Sequence, residues 1–487
     1  MVVIFTFIMG LIMSLEPITD NDWFWHYVIG HYISNTHTIP KSELFTWHGP
    51  YEWTSHEWLT ELIMYKLGPV GCLAIMLVIF LILYILLAKM LKVNLKKIFD
   101  FKLVYLLMVT VFFKVTGPRP YILSLVFMAY LVYILFSYLD DEKKYQKLIY
   151  TIPILQILWV NFHGGSSSLS YIFIIGVLLC ELFLKIFKFK EERWSSNNLS
   201  KTQIQTLIKV LILTLIASCL NPFGYKMILY PFTNMADNNM LNNIVEWMSP
   251  DFHGLFGMYI FIIIAIPIFN LILTKHKMKF YEIAFQLLFF YMCLKSQRFI
   301  GMYAIYSMWN LGKYFFVSNE VYETLKKPFK KLEKPIYICF CLLLVATCTL
   351  AGYKQIKTLK TVGVIDNDGY YSDEAVKKIG ELKPKRLFND FGGGGYLLYK
   401  LDQYNLLDDV KIFSYGLGDV FSSEILPNSL KIGEVRENTR ELLEHYDFDV
   451  ILTYKVNQLH YFLDEMEEYD LYYQDDMCYI YIKKATA

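Results

Sequence analysis

The sequence predicts an α-helical polytopic membrane protein of about 11 transmembrane helices, ending in a small extracytoplasmic α/β domain. Three observations carry this. Hydrophobic residues make up 55% of the 487-residue chain, well above soluble globular practice. Uncharged runs such as "VGCLAIMLVIFLILYILLA" at 70–88 are long enough to cross ~30 Å of hydrocarbon at ~1.5 Å per residue. Beyond residue 353 the composition turns polar and acidic, with 16 basic against 24 acidic residues over 354–487.

Taken in order, the apolar segments fall at 1–15, 69–88, 103–116, 120–139, 148–162, 168–184, 207–220, 256–274, 280–294, 299–316 and 335–353. The first lacks a basic leader and a small-residue cleavage site, so it reads as a retained helix rather than a signal peptide. Pro153 and Pro267 are expected to kink their helices. Alternate loops 89–102, 140–147, 185–206, 275–279 and 317–334 carry 21 lysines and arginines, whereas the opposite set carries 6 over a longer stretch. Positive loops stay in the cytoplasm. The N-terminus is therefore expected inside, and both a large first loop, 16–68, and the tail, 354–487, outside. The sequon at Asn198 falls on the cytoplasmic side and is expected to be silent.

In the tail, "VKIFSYG" and "FDVILTY" read as strands, "VRENTRELLEHY" as a helix, and "YDLYYQDDMCYIYIKK" as a hairpin turning at 474–476. The chain thus divides into a membrane module, 1–353, and an outer α/β domain, 354–487. A formal charge of +1 gives no electrostatic case for a nucleic-acid partner. Seven of the eight cysteines lie in apolar segments, which implies no disulfide framework.

Groups able to do chemistry collect on one predicted side. The first outer loop holds Asp20, Asp22 and His26, then His56 and Glu57; later loops add Arg119, Asn161, His163, Asn221, Glu246 and Arg298. Asp20 and Asp22, two apart, share a side of an extended segment and could hold a cation or accept a proton. Asp22 could equally be the N-cap of "WFWHYVIGHYI". His56 and Glu57 are an acid/base pair or the start of a helix. Outer tryptophans form an interfacial belt or stack on sugars. Arg119 and Arg298 are snorkelling anchors or a phosphate clamp. The "NDFGGGGYLLYK" run lacks the Gly-Lys-Ser/Thr of a nucleotide loop, so a tight strand-to-helix turn is expected there.

The succession "DNDWFWHYVIGHYI", "HEWL", "RP", "WVNFHGG", "NPFG", "EWMSPDF", "QRF" and the tail's Asn389-Asp390 with Gly394-Gly395-Tyr396-Leu397 resembles a group of bacterial multi-pass proteins allied to the GT-C glycosyltransferases. The resemblance covers nearly the whole chain. It implies a polyprenyl-phosphate sugar as donor, a glycan, lipid or protein acceptor outside the cytoplasm, and a bacterial plasma-membrane location. It implies Asp20 or Asp22 as catalytic carboxylate; the residues themselves place Arg119 and Arg298 as candidates for the phosphate. His26, His56, Glu57, Asn161, His163, Asn221 and Glu246 would surround the sugar. A divalent ion, magnesium or manganese, is used by many members, and Asp20 and Asp22 are its candidate ligands. Asn21 stands where the group usually has proline. Three other readings stay open: a transporter or flippase of a lipid-linked or anionic substrate, a non-catalytic scaffold or sensor, and an oligosaccharide polymerase or ligase.

Overall fold

The computed structural model describes residues 2–94, 100–113, 117–187, 194–195, 199–234, 238–316, 327 and 331–484. Asn198 of the sequon and residues 114–116 of the third predicted span lie outside them. The chain forms two compact units. A helical unit comprises Met1–Glu16, Leu73–Pro231 and Glu246–Gly363; a mixed unit comprises Pro17–Cys72, Phe232–Val245 and Val364–Ala487.

In the helical unit each predicted apolar segment is helical. Among the described residues, five helices are long and apolar enough to cross a membrane: Trp58–Leu91, Tyr121–Asp140, Gly164–Phe187, Gly254–Leu273 and Lys334–Val362. Others are short, such as Val2–Ser14 and Phe101–Phe113, so length alone does not assign them as spans. Leu255, Leu342 and Leu350 are exposed on these helices, as lipid-facing residues would be. The run Trp58–Leu91 breaks at Gly68, whose φ of 66° suits glycine, and Pro69 opens the apolar half where its missing N–H costs nothing.

Two details differ from the sequence reading, and one agrees. Pro153 does not kink a helix, because it occupies the first turn of Thr151–Phe162, where its N–H would have no partner. Pro267 does sit inside Gly254–Leu273, and Tyr303 Oη donates to the nearby Ile264 carbonyl at 2.6 Å. The segment expected at 207–220 begins earlier, at Lys201, because Ser200 and Gln203 form a reciprocal capping box. Buried amide and hydroxyl pairs tie the helices: Gln286 to Ser307 and Asn310, and Gln156 to Ser218 and Ser170.

The mixed unit holds a four-stranded sheet ordered 387–389, 450–454, 478–483 and 469–474; the first pair is parallel and the rest antiparallel. The hairpin turns where expected, with the Asp475 carboxylate accepting the Met477 and Cys478 N–H groups at 2.7 and 2.8 Å. The predicted strand at 410–416 is absent. Its backbone is satisfied elsewhere: Ile412 N–H donates to the Phe45 carbonyl at 3.0 Å, and Phe413 N–H to Asn389 Oδ1 at 2.9 Å. The stretch read as a large first loop is folded into this unit. Ile18 bridges Ile365, and the helix Asn21–Thr36 packs on Gly394–Gln403, with Phe24 5.1 Å from Tyr396 and 5.3 Å from Tyr399 between ring centres.

Candidate functional site

Within the mixed unit, the Asp-Asn-Asp entry divides its labour residue by residue. Asp20, not Asp22, is the N-cap of Asn21–Thr36: its carboxylate accepts the Asp22 N–H at 2.9 Å. Asp22 lies in the first turn and accepts the Trp25 indole N–H at 3.2 Å. Gly416 packs so closely that a Cβ there would lie 2.2 Å from Asp22 Oδ1. Asn21 reaches the glycine run, where its Oδ1 accepts the Tyr396 N–H at 3.0 Å, one of the orphan donors in the first turn of Gly394–Gln403. Proline at position 21 would suit a first helical residue but cannot accept that bond. Asn21→Pro is therefore expected to destabilise the unit by about 1–3 kcal/mol, measurable as a lower denaturation midpoint.

One turn further, His26 is buried between two carboxylates. Its Nδ1 lies 2.9 Å from Glu61 Oε1 and its Nε2 3.4 Å from Glu57 Oε2. Ser55 Oγ donates to the other Glu61 oxygen at 3.1 Å, and His56 Nε2 lies 3.8 Å from Glu57 Oε1. The two helices meet closely enough that a Cβ on Gly30 would lie 2.0 Å from the Glu61 carbonyl oxygen. Burial by itself would depress the His26 pKa, but Glu57 and then Glu61 outweigh it and hold it above 6.5. The His26 ring also lies 3.6 Å, centre to centre, from that of Trp25. The imidazole thus backs the indole that donates to Asp22.

These same residues are the unit's answer to whether a divalent ion fits. His26, Glu57 and Glu61 each offer a donor atom within 4.8 Å of the others. The carboxylates, however, sit on opposite ring nitrogens, and an imidazole donates to both only when doubly protonated. The arrangement suits a proton-bridged triad rather than three donors facing one ion.

In the helical unit, Glu246 sits between the two arginines. Arg119 Nη1 bonds Glu246 Oε1, and Arg298 Nη1 lies 3.8 Å from Oε2. Burial would raise the Glu246 pKa, but Arg119 and then Arg298 hold it below 4.5. The Arg298 guanidinium lies 4.7 Å from the Trp247 ring centre and 5.3 Å from that of Tyr121. Tyr121 also makes an edge contact with His163, 5.8 Å between centres. His163 Nδ1 is 2.7 Å from Ser124 Oγ, which takes the Trp159 indole N–H. Asn161 donates to the Ile157 and Leu220 carbonyls, and Asn221 closes its own turn through the Ser218 and Gly224 carbonyls. Both amides knit helix ends together. Glu61 and Tyr121 escaped the sequence reading; the Glu57-Glu61 spacing of one helical turn was the available signal for the former.

The glycine run is the expected strand-to-helix turn. Asp390, just before it, is buried and accepts Tyr454 N–H at 2.9 Å and Asn457 Nδ2–H at 2.8 Å. Burial pushes its carboxyl up to about 6 despite those bonds. Because the folded value exceeds 3.8, the folded state holds the proton more tightly. The sign follows: stability falls as pH rises between those two values, by about 3 kcal/mol in all. Denaturation of Asp390→Asn across that window should lack this descent.

No known family model matches the chain, and no curated protein does. The fold is similar to that of a solved oligosaccharyltransferase. The particular structure is the archaeal oligosaccharyltransferase AglB from Archaeoglobus fulgidus, in complex with an inhibitory peptide and a dolichol-phosphate. It superposes with a TM-score of 0.53 at 10% identity, over 92% of this chain and 69% of that one. The likeness is one of fold: a mostly helical chain with several long apolar helices and a small C-terminal sheet.

Proposed function

We propose that the protein is an inverting membrane glycosyltransferase that moves a sugar from a polyprenyl-phosphate donor to an acceptor outside the cytoplasm. We assign it to the plasma membrane of a bacterial cell, with all eleven apolar segments crossing, the N-terminus cytoplasmic and the α/β domain outside. The observation that carries the reading is the GT-C-like fold joined to a first-turn carboxylate, Asp22, held by an indole N–H. That the solved neighbour binds a dolichol-phosphate supports a lipid-phosphate donor here.

In this reaction the acceptor hydroxyl gives its proton to Asp22 while its oxygen attacks the anomeric carbon. The bond from that carbon to the phosphate oxygen breaks, and the electron pair leaves with the polyprenyl phosphate. Arg119 and Arg298, in the helical unit, are assigned to the phosphate of the lipid donor. Asp20 fixes the helix start, and the His26 triad fixes the indole behind Asp22. His56 and Glu57, in the mixed unit, are assigned to the sugar. The experiment is genetic: Asp22→Asn, introduced at the native locus, should change extracytoplasmic glycans as deletion of the gene does. Glycans unaltered by deletion would remove the transferase reading and favour a scaffold.

A further inference from the structure

The two arginines assigned to phosphate already hold an anion, and it belongs to the chain. Glu246 takes Arg119 on one oxygen and faces Arg298 with the other, the geometry in which paired guanidinium groups receive a carboxylate or a phosphate oxyanion. We propose that Glu246 is an exchangeable counterion: a phosphomonoester displaces its side chain from Arg119 and Arg298, and its return expels the phosphate-bearing product. This rests on the reading of Arg119 and Arg298 as phosphate holders.

The surroundings divide into parts that stay and a part free to swing. Arg298 is clamped between Trp247 and Tyr121, and the Tyr121 hydroxyl donates to the Arg298 carbonyl at 2.8 Å. The backbone of 246–248 is latched to 296–297 by Ser296 Oγ–H to the Glu246 carbonyl at 3.2 Å and Gln297 N–H to the Met248 carbonyl at 2.9 Å. The Glu246 side chain, by contrast, is 43% exposed. Exchange therefore needs only rotation of the Glu246 side chain, while Arg298 and its aromatic walls keep their places. Two guanidinium groups and one carboxylate leave a single net positive charge; expulsion of the carboxylate leaves two, which suits a phosphate monoester better than a diester or a neutral head group. A resident carboxylate also lowers apparent affinity by competition, so product does not accumulate on the enzyme.

The test measures binding of polyprenyl phosphate, inorganic phosphate and uncharged polyprenol to the purified full-length protein in lipid nanodiscs. Glu246→Gln should tighten polyprenyl phosphate about tenfold or more, slow its dissociation, and leave polyprenol unchanged. Arg298→Gln should abolish the gain. Glu246→Asp, too short to reach both cations, should lie between, and it keeps the test usable if Glu246→Gln folds poorly. Tightening of inorganic phosphate as well would identify the head group as the recognised element; tightening of polyprenyl phosphate alone would show that the lipid tail is needed too, and either supports exchange. If Glu246→Gln binds no tighter while Arg298→Gln still loses phosphate, exchange is overturned and the phosphate reading stands. If neither Arg119→Gln nor Arg298→Gln alters phosphate binding, the phosphate reading falls with it.

Discussion

Asp22→Asn is expected to lower sugar transfer by about 10²–10⁴-fold, the usual range for loss of a positioned proton acceptor, without unfolding the protein. The substitution is nearly isosteric. The amide oxygen can still accept the Trp25 indole N–H, and the fit against Gly416 is unchanged in volume. What disappears is the capacity to take a proton. Asp20→Asn is the matching control, because asparagine caps a helix about as well as aspartate, so the bond to the Asp22 N–H survives. Transfer should then stay within a few-fold of wild type. Both variants are to be compared by initial rate at saturating donor and by thermal midpoint. A reversed order of effects would move the base to Asp20.

The second large effect is on folding. Gly394→Ala should be the most damaging single change in the glycine run, since its Cβ would lie 2.0 Å from the Ser414 carbonyl oxygen and 2.7 Å from Tyr415 Cα. Both obstacles are backbone, which cannot swing aside. Overpacking of this kind costs about 1–3 kcal/mol and at times more, and here the upper end is expected. Gly395→Ala meets the Asn21 carbonyl oxygen at 2.2 Å and should behave similarly, prising the Asp-Asn-Asp entry from the helix it rests on. Gly392→Ala has nothing within 4 Å of the new atom and should be nearly neutral. Chemical denaturation of the three variants would show this order.

The contrast explains what could be read in the chain beforehand. Long uncharged runs and the swap of lysine-rich with lysine-poor loops are local properties, so helix positions in the helical unit followed from them. The hairpin at 469–483 was equally legible, because Asp475 supplies the turn from within. Residues 410–416 were misread: they carry strand chemistry, yet Phe45 and Asn389 take their hydrogen bonds from far along the chain. The same limit applied at the site. Asp20 and Asp22 stood out as a pair, but which one caps the helix depends on where the helix begins, a matter of two residues. Glu246 was assigned to the sugar because nothing in "EWMSPDF" reveals that Arg119 and Arg298 meet on it. Glu61 hid inside an apolar helix until His26 gave it a partner.

The transferase reading meets its most direct test in the purified protein, supplied with polyprenyl-phosphate sugars and a hydroxyl acceptor, by counting polyprenyl phosphate released against glycosidic bonds formed. One phosphate per bond, with the anomeric centre inverted and the rate dependent on Asp22, is the predicted result. Bond formation with retained configuration, or turnover as fast in Asp22→Asn as in wild type, would contradict it.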